Sequence, residues 1–375
     1  MSIDRGRVIS PGRVNLLGEH VDYNDGLVLP AAIDRSVNIH FRRTDDAIIT
    51  LYARDLGEEC SFDPLKVYNK TDIHGTPLPT WALYPAGVVW NLHNYDLPVG
   101  GFSADFHSNI PIGAGLSSSA AVEVGFAVVC EALGGWQLDR LTLARICQEA
   151  EREYVGVNCG LMDQFACACG VENHAVMLDT RSLHYRTVPL PPDTVIVIAD
   201  STLRRTLVNS AYNDRRRDCD EAVEYFHQLD PSVRALRDVT LELFLTAENR
   251  LPPGVFQHAR HVVEEITRVN QAITLLEKND AEGFGRLMFA THDSLRDLYE
   301  VSLPELDILV ESASQLNGCL GARLTGAGFG GCTVNLVREA FMDDFIHRLG
   351  ETYTAQTGLN AAIFATTPSR GAHLS

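Results

Sequence analysis

Residues 110–121 read Ile-Pro-Ile-Gly-Ala-Gly-Leu-Ser-Ser-Ser-Ala-Ala, and the remaining chain has to fold around what this stretch does. Gly113 and Gly115 carry no Cβ, so the backbone there can take φ > 0 and approach another group closely. Three hydroxyls follow, on Ser117, Ser118 and Ser119, and then an alanine-rich apolar run over 120–133 that reads as a helix. A glycine turn that opens a helix aims several free N–H groups, and the positive end of the helix dipole, at one place. That place suits an anion, and a polyphosphate above others. The plainer alternative is a serine N-cap with a flexible lead-in, because serine is a favoured capping residue.

Residue type excludes two common phosphate loops. No glycine follows at the third position of the dinucleotide fingerprint, and no Gly-Lys-Ser/Thr follows either. The whole chain has three lysines, Lys66, Lys70 and Lys278, none beside a glycine loop. Protein kinases and P-loop enzymes both set a lysine on the phosphates. A nucleotide held here needs backbone amides, serines, a metal and arginines instead.

At 375 residues the chain exceeds one ordinary core, which predicts two domains. Its formal net charge of -18 opposes a nucleic-acid or anionic-membrane partner, while leaving a small anionic substrate possible where positive charge gathers locally. Nine cysteines, widely spread and without a C-x-x-C pair, support neither a disulfide framework nor a zinc site. Cys167 and Cys169 fall in an apolar run and read as buried thiols. The first residues show no apolar signal region and no run of 18 apolar residues occurs. A reducing, cytoplasmic location is the expectation.

Residues 7–43 alternate apolar and polar as strand and hairpin do. Within them Arg13, Glu19, His20 and Asp22 fall inside ten residues, on a path broken by Gly18. Such a cluster is either a charged surface turn or a set of groups for a polyhydroxylated ligand, since carboxylate and imidazole hydrogen-bond to adjacent hydroxyls. Residues 48–53 read as a strand. Residues 81–92 read as an amphipathic helix, with Pro85 tolerable only in its first turn. Trp81 and Tyr84, three apart, share a face and are either core or flanks for a flat adenine ring. A helix over 141–154 carries Glu149, Glu151 and Glu153. Asp163 and Gln164 stand among apolar residues, where an aspartate is unusual unless paired or functional. Strands are expected at 175–179 and 195–199, followed by a basic segment over 204–217 around Tyr212, whose Arg215, Arg216 and Arg217 read mostly as a solvated run. Residues 235–311 are mainly helical, broken at 252–254. A second glycine loop, Leu-Thr-Gly-Ala-Gly-Phe-Gly-Gly-Cys over 324–332, enters a strand at 333–337. It serves either tight backbone packing or closure over phosphates.

Three segments thus stand in a definite order: Gly-Arg-Val-Asn-Leu-Leu-Gly-Glu-His-Val-Asp-Tyr (12–23), Pro-Ile-Gly-Ala-Gly-Leu-Ser-Ser-Ser-Ala (111–120) and the second glycine loop. Their order resembles the three-motif pattern of the GHMP small-molecule kinases, and the first segment is similar to the signature of that family's galactokinases. The resemblance implies a two-domain α/β (α+β) fold, here divided as 1–180 and 181–375, with the active site in the cleft between domains. It implies ATP and magnesium as cofactors, galactose as substrate, and a soluble monomer or weak homo-oligomer. The reaction implied is phosphorylation of the anomeric C1 hydroxyl, the first committed step of galactose catabolism.

Carried over by position, the resemblance gives Asp163 as the proposed base, with Arg13 as its partner. It assigns sugar contacts to Glu19, His20, Val21, Asp22, Gly160, Asp163 and Tyr212. Phosphate contacts fall to Gly113, Ala114, Gly115, Leu116, Ser117, Ser118 and Ser119. Trp81 and Tyr84 stand beside adenine, and Ser119 with Glu151 holds the metal. One departure is Val21, where related signatures carry threonine; it bears on substrate identity. Two roles for Asp163 remain open: removal of the hydroxyl proton, or orientation of the hydroxyl while Arg13 stabilises charge. Also open are a sibling kinase for galactosamine, N-acetylgalactosamine, arabinose, mevalonate or homoserine, and a sugar sensor that binds without catalysis.

Overall fold

A computed structural model describes residues 3–204 and 208–375, with side chains for all of these except 208–210. In chain order the first half runs β1 (Arg5–Asn15), β2 (Leu27–Val28), β3 (Pro30–Arg43), β4 (Ile49–Ala53), β5 (Glu58–Phe62), α1 (Thr80–Asn94) and β6 (Phe102–Ser108). Three helices come next, α2 (Ser118–Gly134), α3 (Arg140–Glu149) and α4 (Met162–Cys169), then β7 (His174–Asp179), β8 (Tyr185–Pro189) and β9 (Thr194–Asp200). The second half carries α5 (Val208–Leu229), α6 (Leu241–Leu245), α7 (Pro253–Glu277), α8 (Ala281–Asp297) and α9 (Pro304–Ser314). It closes with β10 (Cys319–Thr325), β11 (Cys332–Arg338), α10 (Met342–Thr357), β12 (Ala362–Thr366) and β13 (His373–Leu374).

The strands make a mixed six-stranded sheet in the order β13-β1-β3-β6-β4-β5, a four-stranded antiparallel sheet β10-β11-β9-β12 and a small sheet β2-β7-β8. Helix α2 is the hub of the first half. Its alanines, valines and Phe126 are buried almost all round, because β1 and β3 cover one side and α1, α3 and α4 the other. A helix that is apolar on nearly every face belongs in a core, and its two glutamates, Glu123 and Glu131, are buried with it. It stops where Gly135 takes φ 70, the left-handed cap that glycine adopts without strain. In the second half α8, α9 and α10 back the four-stranded sheet. The carboxy-terminal β13 returns to pair with β1.

Several expectations need adjustment. Pro85 lies past the first turn of α1, inside the helix, so the Trp81 carbonyl loses its helical N–H partner. The helix expected over 141–154 ends at Glu149 and continues as a π turn over Ala150–Val155. The extra residue in this wider turn shifts the facing of its side chains relative to α3. Glu151 is buried at 6% exposure, while Arg152 and Glu153 face outward. The break at 252–254 is the start of α7, where Pro253 sits among the first residues and has no N–H to leave unbonded. All nine cysteines are free thiols. Among the described residues no helix is long and apolar enough to cross a membrane.

Candidate active site

Arg13 lies on β1 just past an irregularity in its pairing with β3, a device that re-aims a side chain. The guanidinium is 4% exposed. Its Nε and Nη2 donate to Asp163 Oδ1 at 2.9 and 2.8 Å, and its Nη1 donates to the Gly115 carbonyl at 2.6 Å. Burial works against its charge, but Asp163 and Glu19 outweigh burial and raise its pKa. Asp163, at the start of α4, also accepts a 2.6 Å hydrogen bond on Oδ2 from Ser117. Ser117 therefore does not act as a side-chain cap: it stands at the N-terminus of α2 with φ 59, and its hydroxyl is spent on Asp163. The two glycine loops meet backbone to backbone. Gly115 and Gly326 have φ 77 and 86, and a Cβ on Gly326 would come within 2.9 Å of the Gly115 carbonyl. Only glycine satisfies both demands.

Two cavities flank this pair. One, of about 160 Å³, is lined by Arg13, Glu19, His20, Asp22, Glu151, Gly160, Asp163 and Tyr212. The other, of about 520 Å³, is lined by Gly113, Gly115, Leu116, the three serines, Arg204 and the second glycine loop. Arg13, Asp163 and Ala327 belong to both walls.

In the first cavity Glu19 accepts from Asn15 Nδ2 at 3.3 Å, from the Gly326 N–H at 3.1 Å and from Arg323. It therefore ties the polar turn of the first half to the second glycine loop as well as facing the cavity. Burial raises its pKa against the pull of Arg323 and Arg13. His20 takes φ 62, and its Nδ1 meets the Tyr23 hydroxyl at 2.9 Å. Burial, then His261, lowers its pKa well below the ordinary value and keeps the ring neutral. Its buried Nε2 has no hydrogen-bond partner among the described residues. Asp22 is pushed up to about 7 by burial and by the charges of Asp163 and Glu19. A Cβ on Gly160 would lie 1.8 Å from Asp22 Oδ2, so Gly160 makes room for that carboxylate. The Tyr212 ring lies 5.6 Å from His20.

Other candidates land elsewhere. Val21 is fully buried and packed against Gly26, because the local backbone turns this β-branched side chain into the core. It lines neither cavity. Trp81 and Tyr84 line neither cavity either. The Trp81 indole donates to Glu58 at 2.7 Å and its ring packs near Phe106, while Tyr84 is pushed up to about 12 by burial and the nearby Glu151. Ala114 is buried and contributes backbone alone. Arg215 donates to the Tyr299 carbonyl at 2.6 Å and Arg216 lies over the Tyr23 ring; only Arg217 of that run is solvated. Residues 205–207 of the basic segment lie outside the described residues.

Four residues at or behind the site are not singled out by the sequence, and of these Thr325 alone stands inside a motif, the second glycine loop. Arg204 donates to the Ile112 carbonyl at 2.8 Å and pairs with Asp200, which lays a cation across the first glycine loop. Its place in a basic segment was the available signal. Arg323, fully buried, precedes the second glycine loop and would have read as an odd charge in an apolar strand. Thr325 joins the two halves through Asn15. Glu123, on the buried hub helix, is the fourth.

Glu151 and Ser119 form an oxygen donor pair at the junction of the cavities. Glu151 is pushed up to about 7 by burial and by Asp163, with Cys159, Gln164 and Ser119 hydrogen-bonding to it in the opposite sense. A buried carboxylate beside other acids, with no ion-pair partner among the described residues, suits a hard divalent cation that takes few protein oxygens.

Comparison with known proteins adds three matched segments. Residues 3–43 match the galactokinase galactose-binding signature, 84–171 the GHMP kinases N terminal domain and 272–355 the GHMP kinases C terminal domain. The galactokinase of Roseiflexus sp. (strain RS-1) is 44% identical over 366 residues, covering 97% of this chain and 91% of that protein. The crystal structure of Lactococcus lactis galactokinase complexed with galactose superposes with a TM-score of 0.93 at 34% identity, covering 98% of this chain and 95% of that one. Methanococcus jannaschii mevalonate kinase, 19% identical with a TM-score of 0.70 over 97% of this chain and 98% of its own, shares the fold.

Proposed function

This chain belongs to the GHMP kinases, in their galactokinase branch, and from that premise we propose a division of labour among its residues. The enzyme is an ATP-dependent sugar kinase that moves the γ-phosphoryl group of ATP to the C1 hydroxyl of galactose. The observation that carries the assignment of roles is the Arg13–Asp163 pair standing in the wall shared by the two cavities. Galactose takes the smaller cavity, against Glu19, His20, Asp22, Asp163 and Tyr212. The phosphates take the larger, against the amides of 113–119, the hydroxyls of Ser118 and Ser119, and Arg204.

Phosphoryl transfer needs positioning and charge neutralisation more than covalent assistance. Asp163 accepts from Arg13 and Ser117 and so is fixed in orientation. A sugar hydroxyl placed against it is aimed across the shared wall toward the phosphates. Arg13 stays protonated and stabilises the charge that develops as the phosphoryl group crosses. With three donors already on its carboxylate, Asp163 serves chiefly to orient the hydroxyl and take its proton late. Ser119 and Glu151 hold Mg2+, which when bound neutralises charge on the phosphate oxygens. Neutral His20 offers Nε2 to one sugar hydroxyl, and Asp22 accepts from another.

The chain divides near residue 180 into an amino-terminal unit carrying the sugar signature, the phosphate loop and Asp163, and a carboxy-terminal unit carrying the second glycine loop. The six- and four-stranded sheets fall on either side of this boundary, apart from β13, which returns to β1, while the small sheet β2-β7-β8 spans it. A cytoplasmic location, supported by the free thiols, and a monomeric or weakly homo-oligomeric state complete the reading.

The test is ADP release with magnesium-ATP against galactose, N-acetylgalactosamine, glucose, arabinose, mevalonate and homoserine, for wild type and D163A. Galactose should turn over in wild type and not in D163A, with galactose still bound by the variant. Near-normal turnover by folded D163A would defeat both orientation and proton acceptance at this carboxylate.

A further inference from the structure

The reaction as derived leaves several buried acids unused; Glu131 and Glu265 pair with arginines, and Glu123, among the described residues, does not. Glu123 lies on α2 one turn after Ser119, so the two share a face, and it is 0% exposed. No arginine or lysine pairs with it among the described residues. Its Oε2 accepts 2.9 Å from Gln164 Nε2, and the same amide nitrogen donates its other hydrogen to Glu151 Oε2 at 2.5 Å. Gln164 is also 0% exposed and directly follows Asp163 on α4. Glu123 Oε1 and Gln164 Oε1 are both buried without a partner among the described residues. Burying a carboxylate with half its acceptors unused is costly in a packed core. A hydrophobic residue would serve α2 better if packing were the only demand.

We propose that Glu123 is a positioning residue for the divalent cation: through the Gln164 amide it holds Glu151 turned toward Ser119. One NH2 group with two hydrogens joins two carboxylates in a fixed order, Glu123 to Gln164 to Glu151. Glu123 itself touches neither substrate nor metal; it acts on the ligand through the amide. The arrangement also accounts for the π turn. That turn brings Glu151 inward, and the amide between the two buried side chains gives an N–H donor to each. Outer groups that orient a ligand change metal affinity by about 10- to 100-fold when removed.

This inference rests on Ser119 and Glu151 holding the metal, and the experiment separates the two. The probe is Mn2+, titrated by electron paramagnetic resonance into the enzyme–ADP complex, with galactose affinity measured by calorimetry on each variant. Q164M, which keeps the volume and removes both donors, should raise half-saturating Mn2+ by about 10- to 100-fold and leave galactose affinity unchanged. E123L should do the same. E123Q, which keeps an oxygen acceptor for the Gln164 amide, should retain near wild-type Mn2+ binding. E151Q is the control. Unchanged Mn2+ binding in E151Q would remove the metal site itself, whereas weakened binding in E151Q with wild-type binding in Q164M would overturn only the role of Glu123. If E123L does not fold, Q164M and E123Q decide. An E123Q variant that binds Mn2+ as poorly as Q164M, or a Q164M that loses galactose as much as Mn2+, also overturns the proposal.

Discussion

Replacing Gly160 with alanine is a one-methyl perturbation whose consequence can be worked from distances. Its φ is not in the left-handed region, so alanine meets no backbone penalty there. The obstacle is steric. The new Cβ would stand 1.8 Å from Asp22 Oδ2 and 2.3 Å from its Cγ, where contacts under 3.0 Å do not occur. The carboxylate must therefore withdraw by at least about 1.2 Å, which turns a hydrogen bond of ordinary length into a gap of about 4 Å. Hydrogen bonds to charged groups are worth about 1.5–3 kcal/mol. Losing the one from Asp22 to the sugar should weaken galactose binding by about 10- to 150-fold.

The assay is galactose KM and calorimetric affinity, with ATP KM as the internal control. G160A should raise the first and leave the second within about twofold, since the phosphate cavity lies beyond the Arg13–Asp163 wall. The decisive arm is D22A. Once the carboxylate is gone the methyl has room, so G160A added to D22A should cost nothing further. Wild-type galactose affinity in G160A would refute the reasoning, and so would losses that simply add in the double variant.

Three further outcomes are expected. R323M leaves Glu19 buried without its guanidinium and should cost about 3–5 kcal/mol in denaturant unfolding, with E19M/R323M recovering much of it; equal losses in both would show that the pair itself is not what matters. S117A removes a folded-state hydrogen bond to a charged group, so it should cost about 1.5–3 kcal/mol in unfolding free energy and, with Asp163 no longer fixed in orientation, also lower kcat by about 10- to 150-fold; a stability loss without a rate loss would contradict the role of this bond at the site. Asp22, at about 7 in the folded protein and about 3.9 unfolded, binds its proton more tightly when folded, so its contribution to stability falls as pH rises through that interval. His20 and His261, held neutral by burial, act in the opposite sense, so the readout is the difference between D22N and wild type. The melting temperature of D22N relative to wild type, without sugar, should be higher at pH 8 than at pH 5, and a pH-independent difference would remove the shifted carboxylate.

What could be read from the sequence was contiguous. The glycine–serine loop, the Glu-His-x-Asp turn and the second glycine loop each carry their chemistry in residue types at short spacing, and each lines a cavity. Val21 and Ala114 entered the candidate set because they sit inside such motifs, but the backbone turns their side chains into the core. Trp81 and Tyr84 show the converse limit. Spacing places two rings on one helix face, but which neighbour that face meets is a tertiary matter, and here it meets Glu58, Phe106 and the surroundings of Glu151. Arg323, Glu123 and Gln164 act only through partners far along the chain, and the π turn that brings Glu151 inward leaves no mark in residue types. The Ser117 hydroxyl was legible as a group but not as a bond, because the ordinary cap competes for the same atom.

The distribution of charge explains why Arg13 has to stand where it does. Glu19, Asp22, Glu151 and Asp163 all line the sugar cavity, and this acidic wall would repel a polyphosphate in the adjoining cavity. A cation at the boundary resolves the conflict only if it stays charged in a dry place. Arginine is the residue that does so; lysine, whose proton is more easily lost on burial, would not. Arg13 gains further from Asp163 and Glu19, which overcome the cost of burying it. On the proposed assignment it would screen the acids facing the sugar from the phosphates beyond, and the same screening would lower the barrier when charge passes between the two cavities. On the same assignment the surplus of carboxylates that remains, with Asp22 and Glu151 both held at about 7, would be relieved by the ligands themselves: hydroxyl donors on one side and a divalent cation on the other.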